Sequence, residues 1–329
     1  MTPSADELAL LDRWQRGFPL TERPFAQVGS ESGLDESDAI GAFARLQDRG
    51  IISRIGAVVK PNTVGASTLA AMRVAEERLE EVADIVSREP LVNHNYERTH
   101  PINLWFVVAG PDRTAVAHTI ARIARKTGVD VLDLPLLQAF HVDLGFPLTG
   151  GGGKRRGSAI LDARRAPDVL DRALLAAIED GLPLVARPYR FVAEQLGLDE
   201  EDVIDRLRQL TASGVVKRFG CVVRHRSLGY ESNAMAVWDI PDIDVEAVAR
   251  LFAGNSAVTL CYRRPRRLPE WPFNLFCMIH AKTRREAYAA IDELNLLADT
   301  GLDRQAVLFS RRCFKQRGAL LSDPERRLA

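Results

Sequence analysis

Cysteine and histidine are both scarce here, at four and six residues in 329. The cysteines (Cys221, Cys261, Cys277, Cys313) all fall in the second half and never form C-x-x-C. That removes the usual zinc-ribbon and dithiol-redox readings and leaves reduced, structural cysteines in a cytoplasmic protein. No apolar run reaches the ~18 residues of a membrane span, so no membrane partner is expected. The opening stretch MTPSADELALLDRW lacks the basic-then-apolar order of a secretory signal. Net charge is missing as well, with 44 basic against 44 acidic residues. A neutral total argues against a protein whose main task is neutralising nucleic-acid phosphates, although it leaves room for a local basic patch. The remaining composition, 46% hydrophobic and 27% charged, is that of an ordinary globular chain.

What the chain does have is a second copy of itself. ALLDRWQRGFPLTERPF (9–25) returns as ALLAAIEDGLPLVARPY (173–189), and GIISRIGAVV (50–59) returns as GVVKRFGCVV (214–223), both at an offset of 164. HPINLWFVV (100–108) matches WPFNLFCMI (271–279) at an offset of 171, after a short insertion. Duplication within one chain predicts an intramolecular pseudo-dimer, with further association between chains left open.

Each copy opens with three helical segments, at 5–16, 24–31 and 35–49 in the first. Pro24 and Pro188 suit first helical turns, and acids cluster at the next helix start in both copies. A β-rich run after Gly50 or Gly214 then predicts a β-ribbon, completing a winged helix-turn-helix. Strand and helix alternate after it. The first copy reads as strand 68–75, helix 77–88, strands 91–98 and 102–110, helix 112–126 and strand 130–143, the βαββαβ order of a ferredoxin-like unit. The predicted fold class is α+β: winged helices at 1–66 and 169–230, ferredoxin-like domains at 67–146 and 231–320. The glycine-rich, charged stretch PLTGGGGKRRGS falls in a linker at 147–168, as if two subunits had been fused head to tail.

This layout resembles the Lrp/AsnC regulators, which by itself would imply a transcription factor sensing an amino acid or haem. The recognition helices speak against nucleic acid as a partner. Residues 34–50 hold Asp35, Glu36, Asp38 and Asp48 against Arg45 and Arg49, and residues 198–214 hold five acids against two arginines. DNA-reading helices offer the opposite balance.

The densest polar signal is HNYERTHPINLW (94–105). Strand alternation places His94, Tyr96 and Arg98 on one face, with His100 continuing into the turn and Asn103 and Trp105 beginning the return strand. Arginine can grip a carboxylate in two places and histidine can transfer a proton, so the cluster suits a ligand with several carboxylates. In the second copy Tyr262, Arg264 and Asn274 match Tyr96, Arg98 and Asn103, while Leu260 and Trp271 stand where His94 and His100 would be. Arg263 adds a neighbouring cation. His141 and Lys315 match each other on the closing strands and are further candidates for carboxylate contacts.

Here the resemblance narrows to the siroheme decarboxylases, an Lrp/AsnC-like enzyme family. HNYERTH-x-x-NLW resembles one subunit's signature; GY-x-x-NAM-x-VW (229–238), CYRR (261–264) and WPFNLF-x-MIH (271–280) resemble the other's. The resemblance implies non-oxidative removal of two acetate carboxylates from siroheme, giving didecarboxysiroheme on the way to haem d1. It implies siroheme as substrate and no cofactor beyond the substrate's own iron tetrapyrrole. Proton transfer would fall to His94 and His100, serving one acetate each or acting together. Each residue also has a plainer reading. His94 can be a hydrogen-bonded structural histidine or an axial iron ligand. His100 can shape the turn before Pro101, Arg98 and Arg264 can be ion-pair partners, and Trp105 can be sheet packing.

Overall fold

A computed structural model describes residues 3–142, 166–230, 232–298 and 304–318, so the glycine-rich stretch 147–158 lies outside the described residues. The first copy begins with α1 (Ala5–Trp14), α2 (Pro24–Ser32) and α3 (Glu36–Asp48), followed by β1 (Ile52–Val59). Ser4 caps α1 in a reciprocal pair with Glu7, Pro24 occupies the first turn of α2, and the Asp35 carboxylate accepts from Asp38 N at the head of α3. Then come β2 (Ala66–Met72), α4 (Leu79–Arg88), β3 (Val92–Arg98), β4 (Leu104–Gly110), α5 (Arg113–Thr127), β5 (Leu132–Pro135) and β6 (Gln138–Val142). The second copy repeats the pattern as α6 (Val169–Ala177), α7 (Pro188–Leu196), α8 (Glu200–Ala212), β7 (Val216–Val223), β8 (Ser232–Trp238), α9 (Val245–Ala253), β9 (Val258–Arg263), β10 (Leu275–Ala281), α10 (Arg284–Ala298) and β11 (Gln305–Gln316).

The helix-turn-helix halves share one core. Trp14, Phe25 and Phe43 of the first copy pack in the same cluster as Leu174, Tyr189 and Phe219 of the second. Among the described residues no β-ribbon forms within a copy. Instead β1 pairs antiparallel with β7, centred on Gly56 opposite Gly220. These two glycines are equivalent in the repeat, so the pseudo-two-fold passes between them. The expected wing is thus replaced by one strand from each copy. Each strand satisfies its backbone by pairing with its counterpart, whose apolar alternation is the same. The acids at the heads of α3 and α8 are engaged as well, Glu36 with Arg23 and Glu200 with Arg187.

Gly220 is required by this crossing. A Cβ there would stand 2.4 Å from the Trp14 carbonyl and 2.6 Å from that of Gln15. Gly220→Ala should therefore cost about 1–3 kcal/mol, read as a lower urea midpoint with an unchanged slope. Unaltered stability would mean the α1–β7 contact yields more easily than its geometry implies.

The remaining strands form one series, β5-β2-β4-β3-β11-β8-β10-β9-β6. It joins two ferredoxin-like sheets through their last strands. Residues 305–309 of β11 pair with β8 of their own copy, then residues 310–316 pair with β3 of the other. The strand expected over 130–143 does the same but breaks in two, with β5 on β2 and β6 on β9. One side of the sheets packs on α4 and α5 through Val82, Phe106 and Ile123, and on α9 and α10 through Phe252, Cys277 and Leu294. The opposite faces meet in a shared cluster of Trp105, Leu134, Met235, Trp271, Phe276 and Leu308. The order is helices, sheet, sheet, helices, with the inner faces turned to one another. Among the described residues no helix is long and apolar enough to cross a membrane.

Candidate functional site

Strand β3 carries the site's polar row on its inner face. Asn95 points the other way, its amide donating to Ala83 O and Ser87 Oγ of α4, each at 3.0 Å. Alternation therefore turns His94, Tyr96 and Arg98 inward. The His94 and Tyr96 ring centroids lie 6.2 Å apart, and the Arg98 guanidinium sits 5.8 Å from the Tyr96 ring centre. Arg98 also donates from Nη1 to Leu308 O of the second copy at 3.1 Å.

The pseudo-symmetric place on β9 repeats the geometry without the imidazole. Arg264 lies over Tyr262 at 5.4 Å and donates from Nη1 to Leu134 O of the first copy at 2.5 Å. Burial pushes Tyr262 up to about 12 and Arg264 down to about 10, which still leaves the guanidinium charged at neutral pH. Each copy thus uses its Tyr–Arg pair to hold the other copy's closing strand.

His94 is closely surrounded but retains some solvent contact. Its Nδ1 is buried without a hydrogen bond of normal geometry, and the Asn93 carbonyl is the neighbouring group that favours its proton. Burial and then the charge of Arg54 hold it down, to about 4. It is therefore neutral near pH 7. His100 sits beyond the far end of the same strand, half-buried. Its Nδ1 accepts from Ile102 N at 3.0 Å, which leaves its proton on Nε2, and its ring packs edge-on against Trp271 at 5.5 Å. Burial and Arg73 lower it too. Residues 94 and 98 alone are separated by about 13 Å of strand. The two imidazoles therefore mark two positions along the strand and the turn that follows it.

Several residues expected to touch ligand are otherwise engaged. Asn103 donates to Val74 O and accepts from Val74 N, each at 2.9 Å, pinning the chain after β2. Asn274 does the same for Ile240. Trp105 is buried against Trp271 with centroids 4.9 Å apart, and its Nε1 donates to Ile102 O, so it is sheet packing. Lys315 faces the helix layer, where its Nζ donates to Ser87 O and Glu89 O at the C-terminal end of α4. Arg263 pairs with Asp242 at 3.0 Å. His141 is buried opposite Cys261, whose sulfur faces α9. Asn103, Asn274, Trp105, Lys315 and Arg263 thus each commit a polar group to the framework around the inner faces, and His141 is placed by its strand pairing.

Sequence reasoning missed Arg54 on β1. A helix-turn-helix strand carries no signal that it reaches a site on the sheets, and only the crossing of the copies brings it there.

The AsnC-like ligand binding domain family matches residues 64–141 and 227–315, and the siroheme decarboxylase NirDL-like HTH domain family matches residues 7–52 and 171–216. The siroheme decarboxylase NirDL subunit of Paracoccus denitrificans is 45% identical over 98% of this chain and 99% of its own length. The chain belongs to the NirDL family of siroheme decarboxylases. The NirD subunit of Stutzerimonas stutzeri, 48% identical, matches 42% of this chain and 91% of itself. Half of the NirDL-type chain thus corresponds to a whole separate subunit elsewhere. The crystal structure of a siroheme decarboxylase NirDL in co-complex with an iron-uroporphyrin III analogue superposes with a TM-score of 0.69. It is 30% identical and matches 98% of this chain and 97% of that one. Both NirDL halves, with both sheets and both helix-turn-helix bodies, are present here.

Proposed function

We propose that this protein removes CO2 from two acetate side chains of siroheme, in the branch of tetrapyrrole synthesis leading to haem d1. The observation that carries this is the inward row His94–Tyr96–Arg98 in a chain 45% identical, end to end, to a named siroheme decarboxylase subunit. Each step breaks one C–C bond. The carboxylate leaves as CO2 and its bonding electron pair remains on the methylene carbon, spread into the macrocycle. One proton then converts that carbon to a methyl group. No oxidant enters this balance, so no cofactor beyond the substrate is called for.

His94 and His100 are the proposed proton donors, one at each position. Burial and the charge of Arg54 hold His94 neutral near pH 7, so its protonation is coupled to the arrival of substrate carboxylates. A carboxylate brought beside the ring favours the imidazolium, as any nearby anion does. Arg98 and Tyr96 supply charge and hydrogen bonding for the substrate's acid groups.

Anaerobic incubation with siroheme tests the reading. The tetrapyrrole extracted afterwards should have lost the mass of two CO2. Siroheme recovered intact from the protein would make this a carrier, and specific DNA retention without turnover would make it a regulator.

A further inference from the structure

Arg54 and Arg218 are equivalent positions in the repeat, on the paired strands β1 and β7, yet the structure uses them differently. Arg218 is buried and donates from Nη1 to Gln15 O at 2.8 Å and to Cys221 O at 3.1 Å. These carbonyls correspond to those of Glu179 and Ala57 around Arg54. Among the described residues Arg54 keeps only the second contact, a long 3.4 Å bond to Ala57 O, and makes none to Glu179 O. Its Nε is buried with no hydrogen-bond partner among the described residues, as are the Nε atoms of Arg187 and Arg264. A guanidinium in that state has forgone its hydration without full replacement, a cost that proteins normally avoid.

The side chain reaches where it does because two glycines leave it space. A Cβ at Gly181 would stand 2.6 Å from Arg54 Cβ, and one at Gly318 would stand 3.0 Å from its Nη1. Gly318 follows the end of β11, where Gln316 pairs with His94 and Arg317 N donates to Asn93 O. The guanidinium therefore lies by the chain that leaves β11, two residues beyond the one that pairs with His94, while Arg218 belongs to the copy in which Leu260 replaces that histidine.

We propose that Arg54 is a substrate-carboxylate ligand of the His94 site, contributed by the helix-turn-helix body and coupled electrostatically to His94. This rests on the reading of the protein as a tetrapyrrole decarboxylase. With no substrate, the Arg54 charge works against a proton on His94. A carboxylate held by Arg54 cancels that charge and adds an anion beside the ring, so His94 gains its proton when the group to be protonated is in place. The charged groups around His94 are Arg98, over the Tyr96 ring on the same strand, Arg317 after β11, whose Nη2 donates to Pro90 O, and Arg54 with Glu179 and Asp180 near it. The Arg54 charge is one that bears on the imidazole. The arrangement also explains why a decarboxylase keeps a helix-turn-helix body whose recognition helices are acidic.

Arg54→Gln, Arg54→Lys and wild type should be compared for siroheme affinity by absorbance titration, for KM and kcat, and for the His94 titration by NMR in the empty protein. Loss of one charge-assisted carboxylate contact predicts siroheme binding weaker by roughly ten- to a hundredfold in Arg54→Gln. Arg54→Lys should recover part of that loss, and the His94 titration should move upward in Arg54→Gln. An Arg54→Gln protein that binds siroheme like wild type, or whose His94 titration stays in place, overturns the proposal. Should Arg54→Gln unfold, Arg54→Lys with wild-type KM and an unmoved His94 titration overturns it equally. Wild-type protein that releases no CO2 would instead defeat the underlying decarboxylase reading, an outcome visible before any variant is made.

Discussion

Siroheme incubated with the His94→Ala protein should lose one CO2 instead of two, with release from the affected acetate slowed by 10²–10⁴-fold, the usual contribution of a positioned proton donor. Binding should survive, because Tyr96 and Arg98 remain on the same face and Arg98 is still anchored on the Leu308 carbonyl. His100→Ala should give the complementary half-product. This follows from placing the two rings at opposite ends of β3, one beside the end of β11 and the other against Trp271. Mass spectrometry of the extracted tetrapyrrole distinguishes the outcomes. If either single variant abolished both losses, one histidine would serve both acetates, and the two-position reading would fail. The pH dependence carries a second check. The free protein holds His94 at about 4, so kcat/KM, which needs the donor protonated, should fall as pH rises through that region. The kcat profile, which reports the substrate complex, should have its inflection at higher pH because bound carboxylates favour the imidazolium. An inflection that is the same in both profiles would separate His94 from the carboxylates.

The second large effect concerns Trp271. It is fully buried, touching Trp105 at 4.9 Å and Phe273 at 5.0 Å, and it carries the edge of His100. Trp271→Ala opens a cavity between the two inner faces and should cost about 3–5 kcal/mol, seen in denaturant unfolding. Because this cluster draws residues from both copies, the transition should remain a single one for the sheet domains. Trp271→Phe should restore most of the stability while still loosening His100, so the His100-dependent product should fall more than the other. A stable Trp271→Ala protein with both losses intact would place neither stability nor His100 in that aromatic contact.

Much of the architecture was legible in the residues because it depends on local patterning repeated twice. The prolines opening α2 and α7 and the acids at the heads of α3 and α8 are short-range signals that each copy states independently, and alternation along 94–98 is another in the first copy. The candidates that changed role did so for a common reason. Asn103, Asn274, Lys315 and Arg263 are polar residues whose neighbours in sequence suggest a ligand, but a buried framework also needs polar groups to close loops and helix ends. Spacing cannot tell an amide that meets a substrate from one that meets the Val74 or Ile240 backbone.

Residues alone established a doubled α+β chain, its family, and a His–Tyr–Arg row sharing one strand face in one half. They could do so because periodicity and duplication are properties of nearest neighbours along the chain. Three things belonged to the folded molecule: the pairing of β1 with β7, the exchange of closing strands between sheets, and the arrival of Arg54 beside His94. Each joins segments from different copies, and such contacts are chosen by which backbone edges and buried charges remain unsatisfied once both copies have packed.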